Sequence, residues 1–190
     1  DLWQPRSADD IQWDVLSIGT DPMRDFGLLR ELARRRPALR IGLITGTERL
    51  AELGPLPGNI EVRLDVPLER VAAAIAGARM VVLPVKENTY SGATATLLQC
   101  MAMGKAVAVS RVGAIREGYG FEDGVHLRWM EPGSADSLDG AVASILADDS
   151  ERRRIGASAR RHVAEHLAWN QYVQRLENIL AAYAPKEPVA

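Results

Sequence analysis

Cysteine, aromatic residues and net charge are all scarce in this chain of 190 residues. Its one cysteine, Cys100, excludes an intrachain disulfide framework, and we expect it to be a small packed residue in a reducing compartment rather than a nucleophile. The formal charge of −2 disfavours a nucleic-acid partner, because nucleic-acid-binding domains normally carry a clear basic excess. The remaining composition, 47% apolar and 25% charged, is that of an ordinary globular protein.

Long hydrophobic runs are also missing. The longest apolar region, residues 71–85, is interrupted by Gly77, Arg79 and Pro84 and is too short and too broken to span a bilayer. The first ten residues are polar and do not resemble a signal peptide. We therefore expect a cytoplasmic protein, or one that is peripheral at the inner face of the membrane within a longer chain.

Short apolar strands alternate with amphipathic helices through most of the chain. The patterns predict strands at 13–19, 41–45, 60–64, 80–85, 106–109 and 125–130, and helices at 26–35, 48–53, 68–76, 93–103, 135–146, 150–167 and 170–183. This alternation predicts an α/β fold with a doubly wound, Rossmann-like parallel sheet. The domain limits expected from it are a linker at 1–11, a Rossmann-like domain at 12–168, a C-terminal helix at 169–184 and a tail at 185–190.

The central strand, loop and helix of residues 80–110 contain the most informative local pattern. A buried strand is followed by a polar loop, and Ser91-Gly92 then begins a helix that ends at Gly104. Free backbone N–H groups and the positive end of the helix dipole meet at this start, which suits a phosphate. An ordinary N-cap with a permissive glycine would give the same pattern.

Residues 98–107, LQCMAMGKAV, resemble the L-E-A-M-A-x-G-x-P-V segment of family 4 glycosyltransferases, also called glycosyl transferases group 1. The resemblance extends from about Leu16 to Trp169 and matches only the donor-binding C-terminal lobe of the two-lobed GT-B architecture. It implies transfer of a sugar from a nucleoside diphosphate sugar, with retained anomeric configuration, to a glycan, lipid or small-molecule acceptor. It implies that the nucleoside diphosphate sugar is a substrate and that neither a cofactor nor a metal ion is needed.

The same resemblance assigns the residues around the helix start. In the related enzymes two glutamates that are separated by seven residues contact the donor sugar and the ribose. In this sequence Ser91 and Gln99 occupy the two positions. Gln99 can exchange hydrogen bonds with a ribose diol, whereas Glu87 or Asn88 would have to replace the first carboxylate. Glu87 is equally compatible with a solvated loop charge. The expected substrate-binding stretch is Asn88, Thr89, Tyr90, Ser91, Gly92, Ala93 and Thr94.

The loop after the first strand supplies the expected cation. Gly19 and Thr20 begin this loop, and Arg24 matches the place of a basic residue that pairs with the pyrophosphate in the relatives, although Thr20 replaces their usual arginine. Arg24 and Glu87 are therefore the expected catalytic residues. Arg24 could instead pair with Asp21 or Asp25. Two further strand ends, Gly46-Thr47 and Arg63-Leu64, could line a nucleobase pocket.

Residues 162–166, HVAEH, match the H-x-x-E-H zinc signature. They lie on an arginine-rich predicted helix, whose positive charge repels a metal cation, and no convincing third ligand follows, so we expect no metal.

The remaining expectations concern partners and alternative functions. Because the sequence contains no acceptor lobe, we expect the isolated lobe to be inactive, and the apolar stripe of Trp169, Tyr172 and Leu176 to favour self-association. A non-catalytic nucleotide-binding or regulatory α/β domain is the alternative, favoured by the loss of both glutamates. A flavodoxin-like receiver is disfavoured by the lack of an acidic cluster at the strand ends.

Overall fold

The computed structural model describes residues 2–6, 11–90 and 92–183. Within these ranges the strands are β1 (Trp13–Ile18), β2 (Ile41–Thr45), β3 (Ile60–Leu64), β4 (Ala78–Leu83), β5 (Val107–Ser110) and β6 (Arg128–Met130). The helices are α1 (Phe26–Arg35), α2 (Leu50–Leu53), α3 (Leu68–Ala76), α4 (Thr94–Ala102), α5 (Gly113–Arg116), α6 (Ala135–Ala147), α7 (Asp149–His166) and α8 (Trp169–Tyr183). A 3₁₀ turn, Thr47–Arg49, precedes α2.

The six strands form one parallel sheet in the order β3-β2-β1-β4-β5-β6. Val15 of β1 lies opposite Ile41 of β2 and Met80 of β4, so β1 and β4 are neighbours at the middle of the sheet. The strand order reverses at this pair, because the chain first builds outward from β1 to β3 and then outward from β4 to β6. The predicted doubly wound fold is confirmed.

Helices cover both faces of the sheet. Along β4, Met80 and Val82 belong to the apolar cluster that contains α1 and α6, whereas Val81 and Leu83 belong to the cluster that contains α3, α4 and α7. Neighbouring residues of one strand therefore point to opposite layers, and both sides are apolar, as a fully covered parallel strand requires. Cys100 is completely buried in the second of these clusters, where burial raises the pKa of its thiol to about 12. At neutral pH this cysteine is a packed residue.

Two glycines bring α7 against the end of α4. Gly104 follows α4 with φ +74°, the left-handed conformation that ends many helices. A Cβ added to Gly156 of α7 would overlap the carbonyl oxygen of Gly104. The close contact between these two helices thus requires glycine, which has no side chain, at position 156.

The observed elements differ from the predicted ones at four places. β4 ends at Leu83 because Pro84 interrupts it, and Val85 instead forms an isolated bridge with Arg24. β6 is shorter than predicted, since Gly124 turns the chain with φ +69° and its N–H binds the carbonyl of Leu127. The helix expected at 48–53 is a 3₁₀ turn followed by α2, and α5 was not predicted. The tail at 185–190, residue 184 and residues 1 and 7–10 of the linker lie outside the described residues.

Candidate phosphate-binding cleft

A cleft of about 390 Å³ opens at the carboxyl ends of β1, β2 and β3, beside the first turns of α4. It lies where the strand order reverses, since α1 leaves β1 on one face and α4 leaves β4 on the other. Open α/β sheets bind their ligands at this type of crevice. The cleft is lined by Ile18, Gly19, Thr20, Asp21, Arg24, Ile44, Thr45, Asp65, Val66, Leu68, Val71, Gly92, Thr96 and Gln99.

Gly19 determines where the side chain of Arg24 can lie. Gly19 follows β1 directly with φ +148°, and a Cβ at this position would overlap the Arg24 Nε atom. The guanidinium therefore packs against the bare backbone of Gly19. The main chain of residue 24 is fixed as well, because Arg24 bridges to Val85 and the Lys86 N–H donates to the Met23 carbonyl at 2.8 Å. Both loops after β1 and β4 thus hold Arg24 at the edge of the cleft.

Arg24 is a buried cation with unused hydrogen-bonding capacity. Its side chain lines the cleft although the residue is only 3% exposed, and burial lowers the pKa of the guanidinium to about 10, against the opposing effect of Asp21. Nη2 donates to Thr96 Oγ1 at 3.3 Å, while Nε and Nη1 have no hydrogen-bond partner among the described residues. Unsatisfied buried donors are costly, so their presence in a cleft indicates a ligand that accepts from them.

The start of α4 has no side-chain cap from its own N-cap residue. Its N-cap is Ala93, which has no oxygen to accept from the first turn, whereas Asp25 caps α1, Ser134 caps α6 and Asp148 caps α7. Among the described residues, the N-cap of α4 therefore supplies no side-chain acceptor to the first turn, as is also true of α3, whose N-cap is Pro67. Together with Arg24, this helix end can accommodate an oxyanion.

Tyr90 and Asp21 join the two loops at the mouth of the cleft. The Tyr90 hydroxyl donates to the Asp21 carboxylate, at 2.7 Å from Oδ1 and 2.9 Å from Oδ2. This hydrogen bond, and to a smaller extent burial, raises the pKa of Tyr90. Asp21 Oδ1 also accepts the Met23 N–H at 2.8 Å. Asp21 is therefore engaged by the loops themselves and, like Asp25, is no close salt-bridge partner that would saturate Arg24.

The opposite wall of the cleft comes from the loops after β2 and β3. Thr47 donates to Asp65 through both its N–H, at 3.2 Å, and its hydroxyl, and these bonds lower the pKa of Asp65. Val66 and Leu68 add apolar surface next to Asp65. Arg63, which the sequence suggested for this wall, instead lies over the Trp13 ring at 4.4 Å.

The structure brings only part of the predicted site together. Of the expected residues, Gly19, Thr20, Arg24, Gly92 and Gln99 line the cleft, and Tyr90 reaches it through Asp21. Ala93 and Thr94 are buried at the start of α4, and the Thr94 hydroxyl has no partner among the described residues. Ser91 lies outside the described residues.

The loop residues before the helix lie elsewhere. Glu87 and Thr89 are exposed, and Glu87 is a minor contributor to the raised pKa of Arg116 of α5, after the hydrogen bond and charge of Glu117. Asn88 shapes the loop, because its Oδ1 accepts the Tyr90 N–H at 3.1 Å. Asp21, Thr96, Asp65 and Val66 are cleft residues that sequence reasoning missed.

The three histidines form a separate cluster on α7 and the loop before β6. The ring centroid of His162 is 4.4 Å from that of His126 and 5.0 Å from that of His166. The His126 Nδ1 accepts the Glu122 N–H, and His162 Nε2 is 2.7 Å from the Tyr119 carbonyl oxygen. No group of three or more potential ligands suited to a metal ion occurs in the part of the chain that the structure describes. Nor is any helix in that part long and apolar enough to cross a bilayer.

A doubly wound parallel sheet of this strand order, with a cleft at its switch point, is a Rossmann-like domain. Comparison with known families gives the particular class: the chain belongs to the family described as glycosyl transferase-like, whose model matches residues 25–181. The resemblance to group 1 glycosyltransferases is thereby confirmed.

Individual relatives agree with this assignment. The MMP α-(1→4)-mannosyltransferase of Mycolicibacterium hassiacum is 32% identical over an aligned length of 180 residues, and the alignment covers 88% of this chain and 42% of that protein. The C-terminal domain of LpcC, a glycosyl transferase group 1 family protein from Francisella tularensis, superposes with a TM-score of 0.70 at 15% identity, covering 88% of this chain and 97% of that one. Anabaena HepE in complex with UDP and glucose gives a TM-score of 0.76 at 15% identity over 95% of this chain and 54% of that one. The chain thus spans about half or less of the full-length relatives.

Proposed function

We propose that this chain is the donor-binding domain of a retaining, family 4-like glycosyltransferase and binds a nucleoside diphosphate sugar in the cleft. The observation that carries the proposal is Arg24, a buried cation with two unpartnered nitrogens beside the uncapped start of α4. A diphosphate supplies the several acceptor oxygens and the negative charge that these donors require. The family membership of the chain makes a nucleotide sugar the expected carrier of that diphosphate.

In this proposal the cleft holds the diphosphate, the ribose and the base of the donor. The diphosphate lies between Arg24 and the backbone of Gly92 to Thr94, the ribose hydroxyls meet Gln99, and the base lies against Val66 and Leu68. Departure of the diphosphate leaves negative charge on its oxygens, which the guanidinium and the α4 dipole stabilise without a metal ion. Glu87 is exposed outside the cleft, so its catalytic role would require the loop at 86–90 to move.

The acceptor is proposed to be bound by a second lobe. All fifteen residues of α8 are at least partly exposed, and Trp169 and Tyr183 are 76% and 84% exposed. A helix with this much apolar surface is expected to pack against another domain, or against a second copy of the chain when that domain is missing. The acceptor, whether a glycan, a lipid or a small molecule, would then meet the donor between the lobes. We place the protein in the cytoplasm or peripherally at the inner face of a membrane.

Isothermal titration with UDP, GDP and ADP tests the proposal and identifies the base. We expect one of the three to bind wild-type protein and Arg24→Met to bind it much more weakly. Arg40→Ala, which removes an exposed arginine at the other end of the sheet, serves as the matched control and should bind like wild type. Binding that is equal in the Arg24 and Arg40 variants would contradict the proposed site.

A non-catalytic nucleotide-binding domain is the second candidate. It is favoured by Gln99, which lines the cleft where the related enzymes have a glutamate. Both candidates predict nucleotide binding, so hydrolysis of the nucleotide sugar separates them. An enzyme domain joined to its acceptor lobe should release the sugar at a rate that Arg24→Met reduces, whereas a regulatory domain should bind the nucleotide sugar and leave it intact.

A further inference from the structure

The hydrogen bond between Tyr90 and Asp21 connects segments that are 69 residues apart in the sequence. Tyr90 ends the loop at 86–90, and Asp21 lies in the loop after β1. Because the hydroxyl is shared between both carboxylate oxygens, at 2.7 and 2.9 Å, the bond ties one loop to the other across the mouth of the cleft. We call this bonded pair the latch.

The latch lies directly on the backbone that precedes α4. A Cβ added to Gly92 would overlap Asp21 Oδ2, and it would lie 2.7 Å from Cε2 of the Tyr90 ring. Both side chains therefore pack against the bare Cα of Gly92. A carboxylate thus already lies beside the uncapped, positively polarised start of α4, where the proposed function places a phosphate.

The charges around the latch agree with a substitute anion. Asp21 and Arg24 line the same cleft, and the charge of Asp21 raises the pKa of Arg24, against the larger effect of burial. Yet Arg24 Nε and Nη1 keep no hydrogen-bond partner among the described residues, so Asp21 supplies charge to this cation without using its donors. A diphosphate would compete with Asp21 for the same cation and the same helix end, and two anions that close repel each other.

We propose that the latch closes the free protein: Asp21 occupies the phosphate position, Tyr90 holds it there, and the donor binds only after the latch opens. This inference rests on the proposed function, because it uses the same phosphate position. It implies that only a fraction of the free protein is competent to bind, which weakens the observed affinity by that fraction.

Two substitutions test the latch separately from the site. Tyr90→Phe removes the hydroxyl and keeps the ring on Gly92, so we expect the best-binding of UDP, GDP and ADP to bind about threefold to tenfold tighter, with faster association. Asp21→Asn keeps an oxygen for the Met23 N–H and removes the negative charge, so it should also bind tighter. Tyr172→Phe, on the exposed face of α8, is the matched control and should bind like wild type.

A second measurement needs no nucleotide. Amide hydrogen exchange of residues 86–90 in the ligand-free protein should be faster in Tyr90→Phe than in Tyr172→Phe. Unchanged exchange, or nucleotide binding that is equal or weaker in Tyr90→Phe, would overturn the latch, while the proposed function stands if wild type binds. If neither wild type nor either latch variant binds any of the three nucleotides, the proposed function fails, and the latch as a gate for the donor fails with it.

Discussion

The two ends of the sheet carry depressions of similar size but opposite chemistry. The carboxyl end has the cleft of about 390 Å³, and the amino end has one of about 500 Å³ lined by residues 12–13, 37–41 and 58–61. At the amino end the polar groups bind each other: Asn59 Nδ2 donates to the carbonyls of Ala33, Arg36 and Leu39 at 3.0 to 3.2 Å. At the carboxyl end Arg24 keeps two nitrogens without partners among the described residues.

This difference indicates that the volume of a depression does not by itself identify the ligand-binding site. The larger depression is the one whose polar groups are already paired, so a ligand there would have to replace existing hydrogen bonds. The smaller one offers donors that nothing in the described chain uses. We therefore assign stability to the amino end and ligand binding to the carboxyl end, and substitutions at the two ends should separate these properties.

The largest effect should come from Arg24→Met at the carboxyl end. Loss of two charge-assisted hydrogen bonds to a diphosphate should weaken nucleotide binding by about 3 kcal/mol, roughly a hundredfold. The free energy of unfolding should stay within about 1 kcal/mol of the wild-type value or rise, because a buried, incompletely paired cation is removed. Calorimetry and urea denaturation measure the two quantities. A large loss of stability with intact binding would reverse our assignment of the two ends.

Gly156→Ala should lower stability and leave nucleotide binding unchanged, the reverse of the effect expected for Arg24→Met. The new methyl group would overlap the Gly104 carbonyl, so we expect unfolding to become easier by about 2–3 kcal/mol. Gly140→Ala in α6 is the matched control, since nothing in the described structure lies within 4 Å of the added Cβ, and it should stabilise the protein by about 0.5–1 kcal/mol. Nucleotide affinity should be unchanged in both variants. Equal effects of the two substitutions on stability would refute the close contact between α7 and Gly104.

Asn59→Ala tests the amino end itself. The substitution leaves three carbonyl oxygens near the end of α1 without their donor, which should cost about 1–2 kcal/mol of stability. Urea denaturation gives this value, and a nucleotide titration should show wild-type affinity. Weakened nucleotide binding by a fully stable Asn59 variant would show that the ligand uses the amino end.

The smallest effect should appear at the histidine cluster, which belongs to neither depression. Burial, and then the charge of His162, lowers the pKa of His126 below 6.5; Arg161 and His166 act in the same direction, and Glu122 opposes them. The unfolded chain therefore takes up a proton more readily than the folded one as the pH falls below 6.5. Stability should decrease between neutral pH and about pH 5, and less so in His126→Asn. Identical pH profiles of unfolding would rule out this contribution.

Local sequence patterns predicted the fold, whereas they predicted the residues of the cleft only in part. Strand and helix periods predicted five of the strands closely, because burial on both faces leaves a plain apolar signature in β4 and β5. Gly19 and Arg24 could also be predicted from the sequence, because they lie five positions apart in one loop and the family resemblance marks that loop. The predicted roles of Glu87, Ser91 and Gln99 remain predictions.

The other cleft contacts join distant segments. Arg24 meets Thr96 across 72 positions and Asp21 meets Tyr90 across 69, and no local pattern specifies either pair. Asp65 adopts φ +49° and is fixed by Thr47, a conformation for which its sequence gives no signal beyond a turn. Such contacts depend on which loops the sheet order places side by side, and this order becomes visible only in the folded chain.

A nitrogen-15 NMR titration of the wild-type chain with the nucleoside diphosphate that it binds best tests the central claim most directly. Our account predicts that the amide signals of Gly19, Arg24 and residues 92–96 shift upon binding, while those of residues 37–41 and 58–61 stay in place. Shifts confined to the amino end, or none at any concentration, would contradict it.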